Sequence, residues 1–417
     1  MYLEHKSTKI LLALFVLSLS IRLVALWILP PSHLGTNAEI AYLGGARLIV
    51  EGEGLSDPSY PVFTPPLYAI MIAGGLYLFG DDQTPIKIAQ AIADSLTVVI
   101  VYLIAKDIFG HKTAFLSSAI LSIYPFSIYP VTYLGPETFF TLFLSLFVLL
   151  SLYGIRYEKW QYYVAAGAVL GLATLTRGTT QFYPIFFFLI LVSIKKVSKP
   201  LLCRYLAFCL AFTSVILPWS LRNYVVLDDF IPVASAGANF LPGCSEKFWP
   251  IPESTEEWPK VFELMKSRGI EIPSKDGKPS EKDRFFLKAG LEYCKIRLEN
   301  EPLSFFPFML KKFFRLWYAT ESGMNHAKII AINILIYLAA AVGILLTRGG
   351  RKNLAVVLLG VLGYFVLLHW ITYPLFRYMV PVMPYVIAFG SFAIITWLEH
   401  FVTGKRDSFE ARQSISG

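Results

Sequence analysis

Two glutamates stand where an apolar run meets a polar turn. Glu39 lies just past an apolar run that ends near residue 29, and Ile40, Leu43 and Arg47 follow it at helical spacing. Glu137 follows Pro136 at the head of another apolar run. Proline suits the first turn of a helix, and the helix dipole favours an anion there. A carboxylate with a reference pKa near 4.3 is ionised at neutral pH and can take a proton from an attacking hydroxyl. Each residue has a plainer explanation on its own. Glu39 would serve as a solvated carboxylate on an interfacial helix, and Glu137 as an ordinary helix-start acid. A catalytic role for the pair requires that they converge.

Isolated cations also sit beside apolar segments. They are Arg47, Arg177 in Leu175-Thr176-Arg177-Gly178, Arg222 in Trp219-Ser220-Leu221-Arg222-Asn223, and Arg377 in Leu375-Phe376-Arg377-Tyr378. A charge at the centre of a bilayer costs about 2.5–3.5 kcal/mol on insertion scales, so one near it is usually paired or functional. Any one of these could snorkel to lipid headgroups. Several together could grip a phosphate bidentately. Arg22 and Asp94 lie inside apolar runs, where each offers the other a partner.

The elements that must position these residues are membrane helices. The chain has 417 residues, of which 55% are hydrophobic, 15% aromatic and only 16% charged. An ordinary soluble domain carries about 25% charged residues. Apolar runs fall at 10–29, 67–79, 86–105, 113–129, 138–155, 162–175, 181–194, 201–219, 328–346, 353–370 and 375–398. The first resembles a signal peptide in charge order. It is long, however, and no small-residue cleavage site follows it, so an uncleaved span is expected. The run at 67–79 is too short for the ~30 Å hydrocarbon core.

Charge decides how that short run is read. Cytoplasmic loops carry excess Lys and Arg. If 67–79 does not cross, the basic groups Lys6/Lys9, Lys106/Lys112, Arg156/Lys159, Lys195/Lys196/Lys199/Arg204, Arg348/Arg351/Lys352 and Lys405/Arg406/Arg412 all fall on one side. The expectation is therefore an all-α polytopic membrane protein. It has about ten transmembrane helices, an interfacial helix at 67–79 on the outer face, and both termini in the cytoplasm. The net charge of +8 becomes an orientation signal and no longer points to nucleic acid. Residues 1–220 would form the transmembrane catalytic module, with a first outer loop at 30–80. Residues 221–327 would be an extracytoplasmic segment, 328–398 the C-terminal transmembrane helices, and 399–417 a cytoplasmic tail. Four cysteines do not make a disulfide scaffold. Cys203 and Cys209 lie in an apolar run and are read as packed. Cys244 and Cys294 share the polar segment, where pairing depends on an oxidising compartment.

The order of motifs resembles the GT-C superfamily of membrane glycosyltransferases. The likeness is to the branch holding protein O-mannosyltransferases and lipid A aminoarabinose transferases. The likeness rests on an acid just past the first helix followed by Tyr42, Ala46 and Gly52, then on Thr64-Pro65-Pro66-Leu67-Tyr68, Phe79-Gly80 and Ile108-Phe109-Gly110. It continues through Pro136-Glu137-Thr138-Phe139-Phe140, Gly167, Gly171 to Arg177, and Pro218-Trp219 with Arg222-Asn223-Tyr224. It ends with Pro232-Val233, Gly237, Glu301-Pro302, Lys311/Lys312, Arg315 with Trp317-Tyr318, and Arg377-Tyr378 with Pro381 and Pro384.

The resemblance implies a reaction. A sugar would pass from a polyprenyl-phosphate donor to a lipid, glycan or protein acceptor on the extracytoplasmic face of the cell membrane. It implies Glu39 and Glu137 as catalytic acids, with Asn37, Tyr42, Arg47, Tyr68, Arg177, Arg222 and Arg377 binding substrate. A divalent metal ion held by Glu39 and Glu137 is left open. Two positions depart from the family pattern. Ala38 stands where the family places its acid, with Glu39 beside it. Thr64 replaces the lysine that precedes the Pro-Pro pair in the aminoarabinose transferases, so phosphate binding must fall to the arginines. The alternatives are a surface-polysaccharide ligase or polymerase of the same superfamily, and a transporter or flippase. Transporters usually carry inverted repeats and midplane sites. No repeat is visible here, and the polar candidates cluster at one face.

Overall fold

Apolar runs bounded by glycine, proline and charge become helices in a computed structural model, which describes residues 2–29, 37–54, 64–234, 237–246, 249, 257–274 and 277–415. Among these residues the regular structure is wholly helical. The helices are α1 (Tyr2–Ile28), α2 (Asn37–Val50), α3 (Pro66–Phe79), α4 (Thr84–Phe109), α5 (His111–Ser122), α6 (Pro125–Ile128) and α7 (Glu137–Tyr157). Next come α8 (Trp160–Thr176), α9 (Tyr183–Ile194), α10 (Lys199–Leu227), α11 (Gly237–Phe240), α12 (Glu257–Ser267), α13 (Pro279–Asn300) and α14 (Pro302–Arg315). The last three are α15 (His326–Leu346), α16 (Gly350–Ile371) and α17 (Met383–Ile415).

The chain is a multi-pass membrane protein. Among the described residues, seven helices are long and apolar enough to cross a bilayer. An eighth span arises if α5 and the Pro125–Val131 stretch, bent 60° at their junction, are taken together. By length and composition this is fewer than the ten expected. At 17 and 12 residues, α8 and α9 fall short of the ~20 residues of a straight crossing. The 14-residue α3 is also too short.

The ends of the bundle are marked by ion pairs. Glu158, between α7 and α8, pairs with Lys195 at 2.5 Å and Arg204 at 3.1 Å. At the other end of α7, Glu137 meets Arg177, just past the C-terminus of α8. Thus α8 runs beside α7 from one end to the other. Small residues allow close helix contact, as in membrane bundles generally. A Cβ at Gly167 or Gly171 of α8 would run into the Phe208 carbonyl or the Val215 side chain of α10. A Cβ at Gly343 of α15 would strike the Phe389 carbonyl of α17.

The break after α5 has a local cause. Pro125 starts the next helix and cannot donate a hydrogen bond to the preceding turn, so carbonyls at the end of α5 need another partner. Arg22, fully buried in α1, donates to the Ser122 carbonyl at 3.0 Å and the Leu121 carbonyl at 3.5 Å. Its Nε donates to Asp94 Oδ2 at 2.5 Å, and Ser127 Oγ donates to both Asp94 oxygens at 2.9 and 2.7 Å. The Arg22–Asp94 pair that the two apolar runs allow is thus present. Its added hydrogen bonds are what make a buried ion pair tolerable.

The described part of the 221–327 segment has its own core. Leu241, Trp249, Val261, Met265, Phe285, Ala289 and Phe308 pack with Tyr373 and Leu375 of the turn after α16. Lys312 Nζ caps the Ile371 carbonyl at 2.8 Å, and Trp370 Nε1 donates to the Met309 carbonyl at 2.7 Å. The segment therefore sits on the end of the bundle where Arg377 and its neighbours emerge.

Candidate active site

Glu137 opens α7 and is almost fully buried. Its Oε1 lies 3.8 Å from Arg177 Nη1, and its Oε2 is buried with no hydrogen-bond partner. The carboxylate fits against a backbone that only glycine supplies. A Cβ at Gly135 would stand 2.5 Å from Glu137 Oε2 and 2.6 Å from the Tyr133 ring. Glu137 also lines a small cavity with Thr138, Thr141, Tyr124, Ser127 and Asp94.

Two arginines face one aromatic ring. The Arg177 guanidinium lies 5.0 Å from the Tyr378 ring centroid, and the Arg377 guanidinium 5.3 Å from it. The other side of the story is a stack, since His369 lies parallel to Tyr378 at 4.7 Å. Cation–π contact helps hold each charge in place. Arg377 Nη1 is paired with Glu321 at 2.8 Å, and its Nε is buried without a partner.

Tyrosines close the cluster. Tyr42 of α2 packs edge-on to Tyr68 of α3, with ring centroids 5.2 Å apart. The Tyr42 hydroxyl donates to the Thr176 carbonyl at 3.4 Å, and Tyr68 donates to Gln90 Oε1 at 2.5 Å. Gln90 in turn donates to the carbonyls of Val131 at 3.1 Å and Tyr133 at 2.8 Å, which pins the turn leading to Glu137. Burial raises the Tyr42 and Tyr133 hydroxyls above the ordinary tyrosine range, so both stay protonated donors at neutral pH. Arg177, Glu137 and Arg377 all lie close enough to Tyr42 and Tyr133 to act on them electrostatically.

Of the residues singled out by sequence, the structure brings together Glu137, Arg177, Arg377, Tyr42 and Tyr68. Arg47 is exposed on α2. Arg222 lies 4.8 Å from the Trp219 ring and donates to Asn223 Oδ1 at 3.2 Å. Trp219 belongs to the same small core as Tyr42 and Tyr68, so Arg222 stands at the same end of the bundle. Asn37 and Glu39 head α2, five and three residues before Tyr42, but their side chains lie outside the described residues. Sequence reasoning missed Tyr378, Gly135, Gln90 and Glu321 as parts of this cluster. The first two adjoin Arg377 and Pro136 in motifs already singled out. Gln90 and Glu321 carry no local signal.

A metal would need more donors than the described residues bring here. Among them no three His, Cys, Asp or Glu side chains gather as a ligand set. The unpartnered Oε2 of Glu137 is a single donor.

Residues 64–219 match the family model described as dolichyl-phosphate-mannose-protein mannosyltransferase. That stretch carries Tyr68, Glu137, Arg177 and Trp219. An uncharacterised protein of Aquifex aeolicus is 30% identical over 217 residues, covering 48% of this chain and 43% of the relative. The chain thus spans less than half the length of that curated relative. The crystal structure of the Archaeoglobus fulgidus oligosaccharyltransferase in the apo form matches over 97% of this chain and 52% of its own, at 13% identity and a TM-score of 0.58. The same organism's AglB, in complex with an inhibitory peptide and a dolichol-phosphate, matches over 98% of this chain and 52% of its own, at 15% identity and a TM-score of 0.56. The GT-C resemblance read from the motifs therefore holds. The family match runs through 64–219, and the fold is shared with the Archaeoglobus fulgidus oligosaccharyltransferase.

Proposed function

We propose, from the GT-C family likeness of this chain, that it moves a sugar from a polyprenyl-phosphate donor to an acceptor hydroxyl on the extracytoplasmic face. The observation that carries this reading is the convergence of one unpartnered carboxylate oxygen with two arginines. The carboxylate is that of Glu137, the arginines are Arg177 and Arg377, and all sit beside α2 at one end of an apolar bundle. The related oligosaccharyltransferase bound to dolichol-phosphate agrees with a lipid-phosphate donor.

In this reading the acceptor oxygen attacks the anomeric carbon. Its proton passes to a carboxylate, Glu39 or Glu137. The bond from the anomeric carbon to the phosphate oxygen breaks, and the donor leaves as polyprenyl phosphate. Arg177 and Arg377, with Arg222 at the rim, balance the charge that grows on the phosphate. Tyr42, Tyr68 and Asn37 orient the sugar, and Arg47, exposed on the same helix, meets the donor headgroup.

The topology is part of the same proposal. Ten crossings are reached by adding the bent span, α8 and α9 to the seven long helices. Both short helices reach toward the same two ends of the bundle as α7. Including or omitting them as a pair leaves the side of every other loop unchanged. The 221–327 segment, docked beside Arg377, would then cap an outer active site and take part in acceptor choice.

The test is transfer of labelled sugar from polyprenyl-phosphate sugar in membranes carrying the protein. Of Glu39→Gln and Glu137→Gln, the one that removes the proton acceptor should lower transfer by roughly two to four orders of magnitude, with protein abundance unchanged. Full activity in both variants would overturn the assignment. Sorting the label into lipid, glycan and protein fractions identifies the acceptor class.

A further inference from the structure

Cys244 and Cys294 come from elements far apart in sequence. Cys244 follows the short Leu241–Gly243 turn after α11, and Cys294 lies on the third quarter of α13. Both thiols are free, and the Cys244 thiol donates to the Phe240 carbonyl at 3.3 Å. The approach is built into the packing. Gly290, one turn before Cys294, has no side chain, and a Cβ there would meet the Phe240 ring at 2.6 Å and Cys244 Sγ at 3.1 Å. Asp283 on the same helix accepts the Gly237 amide at 2.5 Å. The strip from Gly237 to Cys244 is thus held along α13 at both ends.

We infer that Cys244 and Cys294 are a dithiol that closes to a disulfide by exchange with a small disulfide oxidant, tying the 237–246 strip to α13. Cys294 is the partly exposed member and Cys244 is buried, with only 2% of its surface accessible. The order of events follows from that difference. The Cys294 thiolate attacks one sulfur of the oxidant, forms a mixed disulfide and releases one thiol. Cys244 then attacks the Cys294 sulfur, gives up its proton and releases the second thiol. One oxidant disulfide is reduced to two thiols as two protein thiols become one disulfide.

The surroundings favour this direction of attack. The neighbouring Cys244 thiol, then the Lys312 and Arg297 charges, hold the Cys294 thiol below the ordinary cysteine range. A lowered thiol near positive charge is the better attacker at neutral pH. The same contact, with burial, pushes the Cys244 thiol up, which leaves it to act second. Cys203 and Cys209 serve as internal controls, because α10 carries both and neither has this arrangement.

The experiment uses the full chain in membranes, exposed to oxidised glutathione, alkylated with a maleimide and digested for mass spectrometry. The expected product is a Cys244–Cys294 cross-linked peptide pair, two hydrogens lighter than the sum of its parts and restored by reductant. In Cys244→Ser, Cys294 should accumulate as a stable glutathione adduct. In Cys294→Ser, Cys244 should stay unmodified. Alkylation of both thiols in the oxidised wild type would overturn the proposal. So would an unmodified Cys294 in the Cys244→Ser variant.

Discussion

Glu137 presents one oxygen to Arg177 and leaves the other buried and unpartnered, tight against Gly135 and Tyr133. A methyl group at Gly135 would have to displace either the carboxylate or the ring. Overpacking of this kind costs about 1–3 kcal/mol. The expected result for Gly135→Ala is a fall in sugar transfer of about tenfold or more at near-normal protein abundance, read in the same labelled-sugar assay. Arg177→Lys should behave similarly. Lysine replaces a planar fork with a point charge and loses the stacking on Tyr378. Unchanged transfer in both variants would show that the Glu137–Arg177 arrangement does not bear on the reaction.

At the scale of elements, two features are open to measurement. The close pass of α8 over α10 depends on Gly167, which faces the Phe208 carbonyl. Gly167→Leu should lower the melting temperature of the detergent-solubilised protein by several degrees, from a cost of about 1–3 kcal/mol. Gly44→Ala, where a Cβ meets nothing within 4 Å, should not. The second feature is Lys312 of α14, pushed down by burial from its ordinary 10.5 to about 8. Between those values the unfolded lysine keeps a proton that the folded one has released, so stability rises with pH across the window. Below about pH 8 both forms are charged and the full burial penalty applies. With Cys244 and Cys294 replaced by serine, melting temperature should rise more steeply from pH 8 to 10 than in the same protein carrying Lys312→Met. Equal slopes would remove Lys312 as the titrating group.

For the whole molecule the prediction concerns sidedness. The basic groups by Glu158, Lys195 and Arg204 mark one end of the bundle, and the Glu137 cluster marks the other. With the positive end inside, a cysteine at exposed Lys266 in a cysteine-free protein should react with an impermeant maleimide in intact cells. A cysteine at exposed Lys159 should react only after lysis. The reverse pattern would invert the proposed topology and place the carboxylate and arginines in the cytoplasm.

Much of this was open to reading along the chain, because a bilayer leaves so few choices. Long apolar runs must satisfy their own backbone hydrogen bonds and so must be helices. Motif order then pointed to the GT-C likeness and to Glu137, Arg177 and Arg377 as members of one site. The number of crossings did not follow as directly. Length and composition do not distinguish a short tilted span such as α8 or α9 from a buried helix. Nor could sequence order show that Tyr378 lies within reach of two arginines, that Gly135 makes room for a carboxylate, or that Arg22 caps the broken end of α5. Those contacts join residues tens to hundreds of positions apart. Local sequence determines which segments enter the membrane and which residues can carry charge or a proton. Only tertiary packing decides which of those residues face one another across helices.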